Sequence, residues 1–193
     1  TLVLADGARL AVGDGDLVVS AMPWSALTRL LPGTRVAFGE LRSSPIVSVY
    51  WQLPPGVPAP DPDPVVALAG GAPFHFLLRR PGDEARCFAM LSGGDRSFDG
   101  QDVATIEQRA RAQLQRCWPD LDFAAATAVV RKEQHATFVA ACGSDGLRPR
   151  PGPLPGGPSN LLVCGDWTAT GLPATLEGAA RSAQSMLAAC GGG

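Results

Sequence analysis

The chain has 193 residues, 46% hydrophobic and 18% charged, which is enough to bury one medium core or two small ones. A formal charge of −2, with Lys132 as the only lysine, excludes the basic footprint of a nucleic-acid binder. Two histidines and five widely spaced cysteines exclude a CxxC pair or a histidine-rich metal site, and no apolar run approaches the roughly 18 residues of a membrane span.

Taken in chain order, Leu2 and Leu4 precede Asp6-Gly7, a two-residue hairpin signal, and Leu10 and Val12 continue the partner strand. Gly13 to Asp16 makes the next turn. Leu17-Val18-Val19 is a short apolar run of the kind covered on both faces, ending in the small residues Ser20 and Ala21. Trp24 to Leu31 predicts a helix closed by Pro32-Gly33. The 23 glycines and 18 prolines make up about a fifth of the chain, which is loop-rich yet short of low complexity. Pro45 to Leu53, Phe74 to Arg80 and Arg86 to Ser92 predict strands. Between the first two, Pro54 to Pro64 carries six prolines in eleven positions and predicts an extended loop. Asp102 to Cys117 predicts a helix whose apolar stripe is Val103, Ile106, Ala110 and Leu114, stopped by Trp118-Pro119. Phe123 to Phe138 contains a further strand, and Gly143 to Pro158 predicts loop.

Cys87, Cys117, Cys142, Cys164 and Cys190 read as separate reduced thiols packed as small hydrophobes, the usage of a cytosolic protein. The chain opens at Thr1 inside a strand-like pattern with no signal peptide, as expected of a segment whose beginning lies elsewhere.

The last 34 residues, from Asn160 to Gly193, carry the constellation with a physical reason to bind something. Leu161 to Cys164 predicts an apolar strand running into Gly165-Asp166-Trp167-Thr168. A helix follows from about Pro173, which suits the first helical position, to Ala189. Its predicted buried stripe is Leu172, Leu176, Ala179, Ala183, Met186 and Cys190, with Glu177 and Arg181 able to pair on the other side. Ligands in open α/β sheets lie beyond strand carboxyl ends, where the following helix aims its free N–H groups. Asp166 stands there as an acceptor for hydroxyls, and Ala174, Thr175 and Leu176 offer N–H groups at the positive end of the helix dipole. Ala174 and Gly178 lack bulk, which would let a flat ring approach. The same residues also have a purely structural reading, in which Asp166 holds the loop and the helix simply packs.

Gly165-Asp166-Trp167-Thr168, followed by Gly171-Leu172-Pro173-Ala174-Thr175-Leu176-Glu177-Gly178-Ala179, resembles the C-terminal flavin motif of the amine oxidase and phytoene desaturase superfamily. The wording is most similar to the hydroxysqualene dehydroxylases, also called squalene-associated FAD-dependent desaturases. Asp16 to Pro23 resembles the strand before a family Ala-x-Pro, and Ala136-Thr137-Phe138 resembles a strand of the substrate domain. Residues 160–182 are the specific part.

The resemblance implies an α/β (α+β) fold, the C-terminal part of a two-domain FAD/NAD(P)-binding-type flavoprotein. A partial Rossmann-like domain would join a mixed-sheet substrate domain. Residues 1–33 and 159–193 would belong to the FAD-binding domain and residues 34–158 to the substrate-binding domain. Gly165 and Asp166 would lie at the cofactor, Asp166 hydrogen-bonding a ribityl hydroxyl of FAD. Thr175 and Leu176, with Ala174 beside them, would present N–H groups to the N1/O2 edge of the ring system. Two departures stand out. Ala183 occupies a position where the family usually has glycine, which alters packing. No GxGxxG follows a strand, so the pyrophosphate-binding segment is absent. The chain therefore looks like part of a longer flavoprotein whose N-terminal FAD-binding segment would be its partner. Leu161–Cys164 should then pair with Leu17–Val19.

The implied activity is removal of the hydroxyl of hydroxysqualene to give squalene, on the route to hopanoids or related triterpenes, with hydride from reduced flavin and loss of water. Carotenoid (phytoene) desaturase and flavin amine oxidase activities share the motif, and a non-catalytic remnant is the rival of another class. Trp51, Phe74 and Phe76 would line the channel for a polyisoprenoid, although aromatic residues on strands otherwise belong to the core. His75 should point to the opposite strand face, and His135, beside Arg131 and Glu133, reads as solvated. No catalytic acid and no metal ligand can be named. The expected location is cytoplasmic, with a peripheral contact to the inner face of the membrane.

Overall fold

The computed structural model describes residues 1–32, 34, 36–60, 63–70, 73–79 and 86–190. The predicted turn residue Gly33, Asp61 and Pro62 of the proline-rich loop, and Arg80 at the end of one predicted strand lie outside the described residues. The chain divides into two compact units, Thr1–Arg42 with Phe138–Gly193, and Ser43–Thr137. Residues 34–42 and 138–158 thus pack with the first unit, whereas the sequence boundaries set them in the middle segment.

In the first unit, β1 (Leu2–Val3) and β2 (Arg9–Leu10) form an antiparallel hairpin. Its loop has three residues, not two: the Leu4 N–H donates to the Ala8 carbonyl at 2.8 Å, and Gly7 closes the turn at φ +83°. Next along the chain, β3 (Val18–Ser20) lies parallel to β10 (Leu161–Val163), with Leu161 opposite Val18 and Val163 opposite Ser20. The expected pairing of these strands is therefore present. Asn160 helps to fix it, its Nδ2 donating to the Asp16 carbonyl at 3.1 Å. On the other side of β10 runs β9 (Gly152–Pro153), antiparallel. The sequence reading missed β9 because Pro153 and the positive-φ Gly152 look like loop residues, yet proline is tolerated on such an edge.

Two layers cover this sheet. On one face α3 (Leu176–Cys190) places Met186 against Leu162 and Cys164. On the other, Trp24 and Leu27 of α1 (Trp24–Leu30) join Phe38, Phe138, Leu154, Val163 and Trp167 in one core. Leu17 and Val19 are exposed, against the expectation of a strand covered on both faces, because β3 is an edge and α3 packs over β10. Of the five thiols, Cys164 is buried while Cys117, Cys142 and Cys190 are exposed, so packing accounts for fewer of them than expected.

The second unit is a five-stranded sheet in the order β5-β6-β7-β4-β8. Its strands are β4 (Ser43–Gln52), β5 (Val65–Ala67), β6 (Phe76–Arg79), β7 (Cys87–Gly93) and β8 (Thr127–Phe138), the last ending in the first unit. The short β5 was not predicted, since three residues after a proline run give no alternation to read. Antiparallel pairing of β4 with β7 sets Val49 opposite Met90 and Trp51 opposite Phe88. Alternation then turns Val47, Val49, Trp51, Leu77, Phe88 and Met90 toward α2 (Val103–Cys117). That helix starts as predicted, with Asp102 Oδ1 accepting from the Thr105 N–H at 2.7 Å. Ile106, Ala110 and Leu114 are buried, but Val103 is exposed and Gln113 is buried instead.

Gln113 has a specific task. Its Oε1 accepts from the Phe74 N–H at 3.1 Å and its Nε2 donates to the Phe74 carbonyl at 2.8 Å. Phe74 is thereby held outside the strand ladder with its ring in the core. Replacing Gln113 with leucine strands both backbone groups in a dry interior, at about 1–3 kcal/mol for each. Chemical denaturation of the Gln113→Leu variant should show a loss of about 2–4 kcal/mol; an unchanged midpoint would mean that Phe74 finds other partners.

Candidate functional site

The turn from β10 into α3 is shaped by a glycine that no other residue can replace. Gly165 sits at φ +141°, and a Cβ there would fall 2.7 Å from Trp167 Nε1. Its N–H donates to Ser182 Oγ at 2.8 Å, and its carbonyl accepts from the Thr168 N–H at 3.1 Å. Trp167 is buried against Phe38, ring centroids 4.9 Å apart, and its Nε1 donates to the Met22 carbonyl at 3.0 Å. The glycine thus answers to the tryptophan, and the turn leaves Asp166 half-buried at the carboxyl end of β10. Burial pushes the Asp166 carboxyl up. The N–H groups of Trp167 and Asp166, and the charge of Arg148, pull it back.

The helix begins later than predicted, at Leu176 and not at Pro173. The acceptor for the Leu176 N–H would be the carbonyl of Leu172, and that oxygen is taken by Arg148 Nη2 at 2.9 Å. Thr175 caps instead, its Oγ1 accepting from the Gly178 N–H at 3.1 Å and its carbonyl from the Ala179 N–H at 3.0 Å. Among the described residues no acceptor meets the N–H groups of Ala174, Thr175, Leu176 or Glu177. The Leu176 side chain is 92% exposed. Four unpaired donors at the positive end of a helix beside a half-buried carboxyl suit a ligand rich in acceptors and hydroxyls.

Some site residues behave otherwise than expected. The Ala174 side chain packs against the core of the first unit. A Cβ on Gly178 would meet the Pro173 carbonyl oxygen at 2.8 Å, so its missing side chain admits the chain's own loop. The buried stripe of α3 is Gly178, Ser182 and Met186, while Leu176 and Cys190 are exposed. Small residues let the helix lie close to β10, and that contact rotates it relative to the hydrophobic pattern. Glu177 and Arg181 pair as expected, at 3.1 Å.

Arg148 was not foreseen. Its side chain is 6% exposed and its guanidinium lies 5.1 Å from the Phe138 ring centroid. Nε donates to the Trp167 carbonyl at 3.2 Å; Nη2 reaches the carbonyls of Asp166 at 3.2 Å, Thr168 at 2.5 Å and Leu172 at 2.9 Å. Nη1 pairs with Asp145 at 2.9 Å. Nothing in Arg148-Pro149-Arg150-Pro151 marks one arginine as buried.

In the second unit, Trp51 is 2% and Phe74 0% exposed, both turned toward α2, while Phe76 is 47% exposed on the opposite face. The three do not come together. Phe76 instead shares the open face with Leu78, Ala89, Leu91 and Tyr50, as the strand register requires. A groove of about 500 Å³ is lined there by Tyr50, Leu78, Ala89 and Val129. His75 is exposed, and the exposed His135 ring has Nδ1 within 2.5 Å of Ser43 Oγ. No helix among the described residues is long and apolar enough to cross a membrane.

The family model of the flavin containing amine oxidoreductases matches residues 1–189. The chain is 35% identical over 180 residues to a hydroxysqualene dehydroxylase of Sinorhizobium fredii and 34% identical over 179 residues to one of Rhodopseudomonas palustris. Each match covers 90% of this chain and 38% of the relative, so the chain spans under two fifths of their length. Its fold is similar to the crystal structure of a protein assigned as a protoporphyrinogen oxidase of Exiguobacterium sp. 255-15. The TM-score is 0.69 at 11% identity, covering 91% of this chain and 41% of that one.

The upward shift of Asp166 has a sign that can be tested. A carboxyl whose folded value is raised favours the folded state below its ordinary value of 3.8, and that contribution is lost as pH rises through the folded value. Asp166→Asn removes the desolvated charge. In ligand-free protein it should be more stable than wild type at neutral pH, and the difference should vanish in acid. Thermal melts across pH 3 to 8 check this, and a stability difference independent of pH would contradict the burial argument.

Proposed function

This chain belongs to the flavin containing amine oxidoreductase family, and from that premise we propose that it serves an FAD-dependent oxidoreductase acting on a polyisoprenoid, removing the hydroxyl of hydroxysqualene to give squalene in hopanoid or related triterpene synthesis. The observation that carries the reading is the bare start of α3 beside Asp166, within the stretch whose wording matches the hydroxysqualene dehydroxylases.

The donor set fits the flavin end of FAD. Asp166 would accept from a ribityl hydroxyl, and the N–H groups of Thr175 and Leu176 would face the electron-rich N1/O2 edge, where the helix dipole favours negative charge. When bound and reduced, FAD supplies the hydride. The residues of this chain orient it and stabilise its charge. The pyrophosphate end has no counterpart here, so the remaining part of the protein would provide it. An apolar groove of about 520 Å³ lined by Val18, Val19, Leu27 and Leu30 suits the packing of that part. The buried Ser20 Oγ, which has no hydrogen-bond partner among the described residues, borders the same groove. For the substrate, the open sheet face offers Phe76, Tyr50, Leu78 and Ala89 as apolar wall, with the polar Gln52, Arg79 and Thr127 along the same groove. We place the protein in the cytoplasm, drawing its substrate from the inner face of the membrane.

The full-length protein should purify yellow, and Asp166→Ala should lose most of its visible flavin absorbance; full occupancy in that variant would remove Asp166 from the site. Incubation of the dithionite-reduced protein with hydroxysqualene, and of the oxidised protein with phytoene and with a polyamine in air, followed by product analysis, should yield squalene alone. Desaturated phytoene or an oxidised amine would replace the proposed substrate.

A further inference from the structure

We propose that Arg148 is the positioning residue of the flavin site, holding the Asp166–Leu172 loop by four of its carbonyls and so setting where α3 starts. This rests on the flavin reading above. The geometry is one-sided: every contact from Arg148 to the loop goes to a backbone oxygen, at Asp166, Trp167, Thr168 and Leu172. Gathering those oxygens on one buried cation leaves the Asp166 side chain free of that cation's hydrogen bonds and free to meet a ligand. Engaging the Leu172 carbonyl has a second effect: the oxygen that would accept from the Leu176 N–H in a longer helix is turned to Arg148 instead. A helix that started a turn earlier would satisfy that donor internally and withdraw it from any ligand.

The guanidinium is itself over-determined. Phe138 stacks on it, and Asp145, exposed at the surface, fixes Nη1. A planar fork with five donors can serve several carbonyls at once, whereas a lysine ammonium is a single point charge on a flexible stem. Charge alone is therefore insufficient, and the fork is the operative feature.

The test uses full-length protein with FAD as the probe, comparing wild type with Arg148→Lys and Arg148→Ala. FAD dissociation constants are read by flavin fluorescence, apoprotein stability by thermal melts, and the environment of the bound flavin by its visible band shape. Arg148→Lys should fold yet bind FAD about 10- to 100-fold more weakly, by analogy with the outer partners of metal ligands. The flavin it retains should show an altered band, and added guanidinium should restore affinity to Arg148→Ala. FAD affinity within twofold of wild type in Arg148→Lys overturns the proposal. So does a variant whose stability falls while its residual flavin keeps the wild-type spectrum, since that is a purely structural role. Failure of Arg148→Lys to fold also overturns it, because a residue the fold requires is not a positioning residue. If wild type itself takes up no FAD, the flavin reading falls, and the Arg148 proposal falls with it.

Discussion

A guanidinium withdrawn from water must find oxygens along its whole donor edge, and in the first unit a single loop supplies most of them. Leaving such a cation unpaired in the interior costs several kcal/mol, so the carbonyls of Asp166, Trp167, Thr168 and Leu172 are held to it as firmly as it is held to them. Much of the unit follows from that mutual constraint. The loop cannot continue β10 or join α3 early, Trp167 is delivered into the core beneath it, and Asp166 is left at the strand end.

Gly165 and Ser182 complete the same arrangement from the helix side. Ser182 Oγ accepts from the Gly165 N–H and donates to the Ala179 carbonyl at 2.6 Å, which ties the strand end to the second turn of α3. Gln113 plays a comparable part in the second unit, where a buried amide brackets one backbone residue. In both units a long polar side chain is buried to organise main chain, and in both the organised segment is irregular. Irregular backbone has no ladder of its own, so its N–H and C=O groups must be met by side chains.

Much of this was legible in the sequence. The pairing of β3 with β10 was implied by the flavoprotein resemblance, which sets Leu161–Cys164 beside Leu17–Val19. The start of α2 followed from Asp102, and the flavin motif from residues 165–179. What escaped shares a cause. The late start of α3 goes with a Leu172 carbonyl turned to Arg148, a residue 28 positions before Leu176 in the chain, and the inward turn of Phe74 with its pairing to Gln113 on another element. Periodicity reports which residues are apolar; it does not report which helix face is narrow enough to seat against a strand. Hence Gly178 and Ser182 won the buried face of α3 over Leu176 and Cys190. Trp51 shows the converse difficulty: strand alternation is readable, but which of its two faces meets a helix is settled by the partner.

The small-residue seam of α3 has a bearing on how this chain can vary. A side chain at 178 would strike the Pro173 carbonyl and one larger than serine at 182 would press on the end of β10, and the first turn of the helix would move with either. Gly178 and Ser182 carry no chemistry, yet a survey of permitted residues should find them stricter than Leu176, whose side chain stands clear of the protein. Along this motif, intolerance to substitution would then trace clearance between backbones, and a ranking of residues by strictness would mistake the scaffold for the chemistry it supports.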